Sequence, residues 1–224
     1  MKDSARGSTS IQLYASDTSK QPAEKTFIVF GTPRGGTSAI AGTMVGLGLN
    51  MGADLPNDNN YEDPDFAAKP REQIVRAIGE RNSANAVWGW KFPNAANYLD
   101  FVRPHIRNPR FVVVFRDVVS TMKGLMRWHR RCPLEALSDV ILHQQKNMLI
   151  ILRWGVPTLL VSYEKAILNP SNLVRELAEF TGTTIPVDFR AFEHFLEPER
   201  YKSFPRQEAP DHRTVDPADA SSIG

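Results

Sequence analysis

The sequence predicts a three-layer α/β fold with a mostly parallel central sheet flanked by helices. Three observations predict it. Short apolar runs alternate with helical patterns along the chain. Those runs are apolar at consecutive positions, as in Phe27-Ile28-Val29-Phe30 and Phe111-Val112-Val113-Val114-Phe115. Strands of that kind are buried on both faces, which is the condition of a parallel strand between two helical layers. Finally, a glycine-rich turn joins the first such run to the first helical pattern, as strand-to-helix connections in these folds require.

Taken in order, Met1 to Lys25 is polar and without periodicity, and is expected to be disordered. It has no apolar core of a secretory signal. Phe27 to Phe30, bounded by Gly31 and Pro33, reads as a buried strand. Ser38 to Leu49 is small and apolar and reads as a helix ending near Gly48 and Gly52. Asn57 to Asp65 is loop-like. Phe66 to Arg81 reads as an amphipathic helix with Ile74, Ala77 and Ile78 inward. Ala86 to Trp90 and Phe111 to Phe115 are strands. Val118 to Arg130 and Leu134 to Trp154 are helices separated at Pro133. Thr158 to Val161 is a strand, and Ser171 to Phe180 a helix closed by Gly182. The domain is expected over 26–204, with 205–224 as a flexible tail.

Composition narrows the function classes. The 224 residues carry 27 Lys and Arg against 25 Asp and Glu, a net charge of +2. That is too balanced for a protein that coats nucleic acid. Cys132 is the single cysteine, so an internal disulfide is impossible and a cysteine-based metal site is not expected. The most apolar stretch, Met148 to Val161, is interrupted by Arg153, Gly155 and Pro157, and falls short of the roughly 18 residues a membrane span needs. A cytoplasmic location is the expectation.

Ligands of such sheets bind at the carboxyl ends of the strands. Those ends are Gly31 to Ser38, Lys91 to Asn94, Arg116 to Ser120, and Ser162 to Glu164. The first, Gly31-Thr32-Pro33-Arg34-Gly35-Gly36-Thr37-Ser38, can cradle an anion with backbone N–H groups and a helix N-terminus. Its spacing resembles a phosphate-binding P-loop, so the expected three-layer fold is P-loop-like. Thr37 stands where that loop carries its lysine, and Arg34 supplies a cation earlier. Without the lysine, the β- and γ-phosphates of a nucleoside triphosphate lose their usual clamp.

Pro33-Arg34-Gly35-Gly36-Thr37-Ser38 after an apolar strand resembles the 5′-phosphosulfate loop of sulfotransferases that use 3′-phosphoadenosine 5′-phosphosulfate (PAPS). Three further segments agree in order. Trp88-Gly89-Trp90-Lys91-Phe92-Pro93 is similar to a Gly-x-Lys-x-Pro segment of bacterial members. Phe111 to Asp117 is similar to the strand and Arg-Asn/Asp pair that open the 3′-phosphate site. Ser162-Tyr163-Glu164 through Asn169-Pro170, with Leu173 to Gly182, is similar to the family's Tyr-Glu-Asp-Leu…Asn-Pro…Gly stretch.

The resemblance implies PAPS as donor, an acceptor hydroxyl on a glycan, lipid or small metabolite, and no metal. It implies that Arg34, with the N–H groups of Gly35, Gly36 and Thr37 and the hydroxyls of Thr37 and Ser38, meets the 5′-phosphosulfate. Arg116 is implied at the 3′-phosphate, with Ser120 as a hydroxyl partner, although the family's serine position falls on Gly124. Lys91 is implied at the reacting centre. Tyr163 is implied near the adenine, or is simply packed. Relatives carry a glutamate base in a Gly-x-x-Glu segment after the first helix. Here Asn60-Tyr61-Glu62-Asp63 occupies that place, which nominates Glu62, with Asp63 as the competing choice and Asn60 replacing the glycine. His105 and His129 are less favoured. The basic run Arg127 to Arg131 reads as a solvated helix end or an anion contact, Asp117 as a helix cap, and Arg200 or Lys202 as remote nucleotide contacts. Two other classes fit the fold: a nucleotide kinase or phosphotransferase with an altered loop, and a catalytically silent nucleotide-binding protein. Oligomeric state is open.

Overall fold

The computed structural model describes residues 7–15, 22–52, 60–128 and 132–197. The five strands are β1 (Ser10–Leu13), β2 (Lys25–Gly31), β3 (Val87–Lys91), β4 (Pro109–Phe115) and β5 (Thr158–Ser162). They form one sheet in the order β1-β5-β4-β2-β3. β2 pairs in parallel with β3 and β4, and β4 with β5, while β1 runs antiparallel along the β5 edge.

Helices cover both faces: α1 (Thr37–Gly46), α2 (Arg71–Ala84), α3 (Leu99–Val102), α4 (Val118–Trp128), α5 (Pro133–Trp154), α6 (Tyr163–Leu168), α7 (Pro170–Thr181) and α8 (Arg190–Leu196). The alternation along each strand splits the core in two. Ile28 and Phe30 of β2 and Phe111 and Val113 of β4 join Trp88, Trp90 and Trp154 on the α2–α3–α5 side. Phe27, Val29, Val112 and Val114 join Ile40, Met44, Leu173, Leu177 and Phe195 on the α1–α7–α8 side. Both sets are buried, so the continuous apolar runs do mark strands packed on two faces.

Two expectations need correction. Residues 1–25 are not disordered throughout. Ser10–Leu13 is a strand, with Ser10 opposite Val161 and Leu13 opposite Thr158, and Lys25 already belongs to β2. The order of β1 is tertiary in origin. The Glu176 carboxylate of α7 accepts from the Ser8 hydroxyl (3.0 Å), the Thr9 amide (3.0 Å) and the hydroxyls of Thr9 (2.5 Å) and Ser10 (2.6 Å). Local periodicity carries no trace of a partner so distant in sequence. The second correction concerns α2, which starts at Arg71 rather than Phe66. Pro70 is its extended N-cap residue, and the residue before a proline is kept out of helical geometry. Phe66 instead stacks on Trp90 with ring centroids 4.5 Å apart. The tail 205–224, Arg200, Lys202, and His129 to Arg131 lie outside the described residues. Among the described residues, no helix is long and apolar enough to cross a membrane.

Candidate functional site

The strand ends nominated from the sequence meet at one edge of the sheet. After β2 the chain turns at once: the Gly35 N–H donates to the Thr32 carbonyl (2.8 Å). Arg34 sits at φ 65° and Gly36 at φ 88°. Gly36 is obligatory here on two grounds. Its φ is left-handed, and a Cβ would fall 2.1 Å from the Tyr163 ring. It is also the N-cap residue of α1, and no side chain caps that helix. Thr37 is therefore the first helical residue, with Ser38 next, and neither does the capping that is their ordinary alternative. The Ala39 N–H donates to the Gly36 carbonyl (3.1 Å), which leaves the N–H groups of Thr37 and Ser38 at the open end of the helix, close in sequence to Arg34.

Arg116 leaves the end of β4 and closes over this loop. Its Nη1 donates to the Arg34 carbonyl (3.0 Å), and its guanidinium lies over the Tyr163 ring, 4.6 Å from the centroid. Its Nε is buried and has no hydrogen-bond partner. Glu164 is 3.9 Å away, near enough for charge attraction but not for a hydrogen bond. Glu164 itself accepts from the Asp117 N–H (3.0 Å). Tyr163 is thus packed between Gly36 and Arg116.

Asp117 is a cap. It accepts from the Ser120 N–H (2.8 Å), and that bond, with one from the Ser120 hydroxyl, holds its carboxyl below the usual carboxylate range. Ser120 sits one turn from Arg116 as expected, but its hydroxyl is engaged by Asp117. Gly124, where the resemblance leads one to expect a serine, backs onto Arg34. A Cβ there would come within 3.0 Å of the Arg34 Cβ. That departure makes room for the loop arginine.

Lys91 ends β3 and is only 1% exposed. Its ammonium donates to a Glu62 carboxylate oxygen (2.8 Å) and to the Asn60 carbonyl (2.9 Å). Burial pushes its pKa down. The Glu62 carboxylate opposes that shift, and the Arg34 charge adds to it. The three residues nominated for chemistry therefore share one electrostatic neighbourhood. Lys91 is turned to the 60–62 turn rather than to open solvent.

The turn also explains Asn60. It stands at φ 49°, the left-handed region that asparagine tolerates better than other residues with a Cβ. Asp63 is settled differently from Glu62. It is 2% exposed and bridged to Arg81 (2.8 Å), so its carboxylate braces α2. His105 follows β3 in a short 3-10 turn, Arg103–His105, where its carbonyl accepts from Asn82.

Sequence reasoning gave Gly124, Glu164 and Asn60 no role in this constellation. Gly124 and Asn60 each carried a signal as departures from the residue the resemblance leads one to expect, and Glu164 carried one as part of a nominated strand end. A separate open cavity of about 710 Å³ lies under β1, lined by Ile11, Phe115, Leu160 and Lys165 among others. It does not include the loop. Among the described residues, no group of three or more His, Cys, Asp or Glu is placed to hold a metal ion.

No known family profile matches the sequence, and neither does any curated protein. Among solved structures the chain is similar to the sulfotransferase domain of the olefin synthase from Synechococcus PCC 7002. The match covers 90% of this chain and 87% of that one, with a TM-score of 0.51 at 16% identity. The fold is that of a sulfotransferase domain. At that identity the likeness speaks for the fold alone.

Proposed function

We propose that this chain is a sulfotransferase that takes a sulfuryl group from PAPS and passes it to an acceptor hydroxyl. The observation that carries the reading is the junction of two cationic clamps. An uncapped helix N-terminus with Arg34 beside it is hydrogen-bonded, through the Arg34 carbonyl, to Arg116. The buried Arg116 Nε has no hydrogen-bond partner, with Glu164 3.9 Å away, and is a donor open to an acceptor, which fits a ligand that is anionic at both ends of a ribose. Arg34, Thr37, Ser38 and the N–H groups of Gly35 and Gly36 would hold the 5′-phosphosulfate, and Arg116 the 3′-phosphate beside Tyr163. The donor would supply an activated sulfuryl group.

Charge builds on the leaving phosphate oxygen in such a transfer, so a fixed cation and aligned N–H groups are what the step needs. Arg34 remains charged throughout. Glu62, 30% exposed, is the group that takes the proton from an acceptor hydroxyl. Lys91 acts through Glu62: its ammonium holds that carboxylate in place. The acceptor is a glycan, lipid or small metabolite, with a cytoplasmic setting. A phosphotransferase is disfavoured because Thr37 replaces the P-loop lysine.

Isothermal titration decides the reading. 3′-Phosphoadenosine 5′-phosphate should bind at least about tenfold more tightly than AMP, since a charge-assisted bidentate contact is worth roughly 1.5–3 kcal/mol. Equal affinities would remove the assigned role of Arg116 and with it the reading. Labelled PAPS with a panel of hydroxyl acceptors then identifies the product.

A further inference from the structure

Helix α5 is the longest in the structure, 22 residues and therefore about 33 Å. It buries Ala136, Val140, Asn147, Ile150, Ile151 and Trp154 against the sheet and its neighbours. Its other face is apolar as well. Leu134 (74% exposed), Ile141, Leu142, Leu149 and Leu152 (62%) all stand in solvent. At about 100° per residue these five fall in one arc roughly 100° wide. The other residues in that arc, Ser138 and Gln145, are uncharged. Scattered surface leucines need no explanation, but a continuous charge-free stripe along a whole helix marks a contact surface.

The edges of the stripe indicate what covers it. One edge carries Leu137, Gln144 and Met148, with no charge. The other carries four charges in a fixed order, Glu135 and Asp139 in the first half of the helix and Lys146 and Arg153 in the second. The two basic side chains also meet acceptors in their own chain: Lys146 reaches Asn97 and Arg153 reaches Asp100. Exposed contacts of that kind are weak enough to be exchanged.

We infer that α5 pairs with α5 of a second copy of this chain, antiparallel about a two-fold axis level with His143. That register sets Leu134 against Leu152 of the copy and Ile141 against Gln145. A two-fold axis brings the same edge of both helices together. Each Glu135 then lies within about two residues of the copy's Arg153, and each Asp139 within about one of its Lys146, roughly 3 Å and 1.5 Å along the axis. A parallel two-fold pair would instead set the charged edge beside the uncharged edge of the copy, Leu137, Gln144 and Met148, and leave the four charges without partners across the seam. The stripe is self-complementary only in one direction, and that selects a second copy over a foreign partner.

Sedimentation analysis of the full chain tests this. The wild-type chain should sediment as a dimer at micromolar concentration. Ile141→Glu with Leu142→Lys should yield a monomer of unchanged circular dichroism, both positions being at least half exposed. Glu135→Lys should weaken the dimer about tenfold, and adding Arg153→Glu should restore it. A wild-type monomer, a dimer that survives the stripe substitutions, or a failure of the second charge reversal to rescue the first would each overturn the pairing.

Discussion

Gly124 shows how single residues shape the site. A glycine inside a helix costs about 1 kcal/mol relative to alanine, yet α4 carries one in its interior. The structure gives the reason: the Arg34 side chain lies against that position, and a Cβ would press to 3.0 Å on it. Two effects of Gly124→Ala therefore have opposite signs. The helix gains propensity, while Arg34 is displaced by a few tenths of an ångström from the loop it serves. Thermal unfolding should change little or rise, and sulfuryl-transfer turnover should fall, by about tenfold if the arginine acts on charge developing in the transition state. Parallel losses of stability and turnover would mean that Gly124 is needed for packing alone. Asn60 teaches the same lesson from the other side. Its left-handed backbone presents the carbonyl that receives Lys91, so here the main chain, more than the side chain, serves the site.

Among the elements, β1 is the one most dependent on a single side chain. It is four residues long, it has one neighbour in the sheet, and Glu176 gathers the donors that precede and begin it. Glu176→Ala would leave the Thr9 amide and hydroxyl buried and without that acceptor, Thr9 being fully buried. The expected cost is about 2–3 kcal/mol, read by urea unfolding, with faster amide exchange confined to β1 and the facing strand β5. A uniform change across the sheet would show that Glu176 supports the core rather than the edge. This element also marks where reading the sequence stops. β2, β4 and β5 were legible because strands buried on both faces are apolar at every position. α5 and α7 were legible from 3.6-residue periodicity and from Pro133 and Gly182. The loop from Gly31 to Ser38 was legible because backbone turns of that shape need glycine. β1 was not, since its order comes from a carboxylate more than a hundred residues away. The start of α2 is hidden because the apolar Phe66 fits the helical pattern although it lies ahead of Pro70. The place of Glu62 in its segment nominates it over Asp63, and the Lys91 bond and the Arg81 bridge show how different the surroundings of the two carboxylates are.

At the scale of the whole molecule, the site draws on four of the five strands: the loop follows β2, Lys91 ends β3, Arg116 follows β4 and Tyr163 follows β5. A ligand that touches both clamps therefore ties together strand ends that otherwise meet only through the sheet and a few side-chain bonds. Binding to the folded chain alone stabilises it by mass action, about 2.7 kcal/mol when free ligand stands at a hundred times its Kd. For a domain of this size each kcal/mol moves the midpoint by roughly 2–4 °C, so the shift should be about 5–10 °C. AMP at the same concentration lacks the phosphate assigned to Arg116, and should shift the midpoint distinctly less. Arg116→Ala should reduce the shift from 3′-phosphoadenosine 5′-phosphate to the AMP value while leaving the AMP shift nearly intact. If the substitution instead abolishes both shifts, Arg116 acts by holding the Arg34 carbonyl and the shape of the loop. If it changes neither, the 3′-phosphate is held elsewhere, and the second clamp is not where β4 ends.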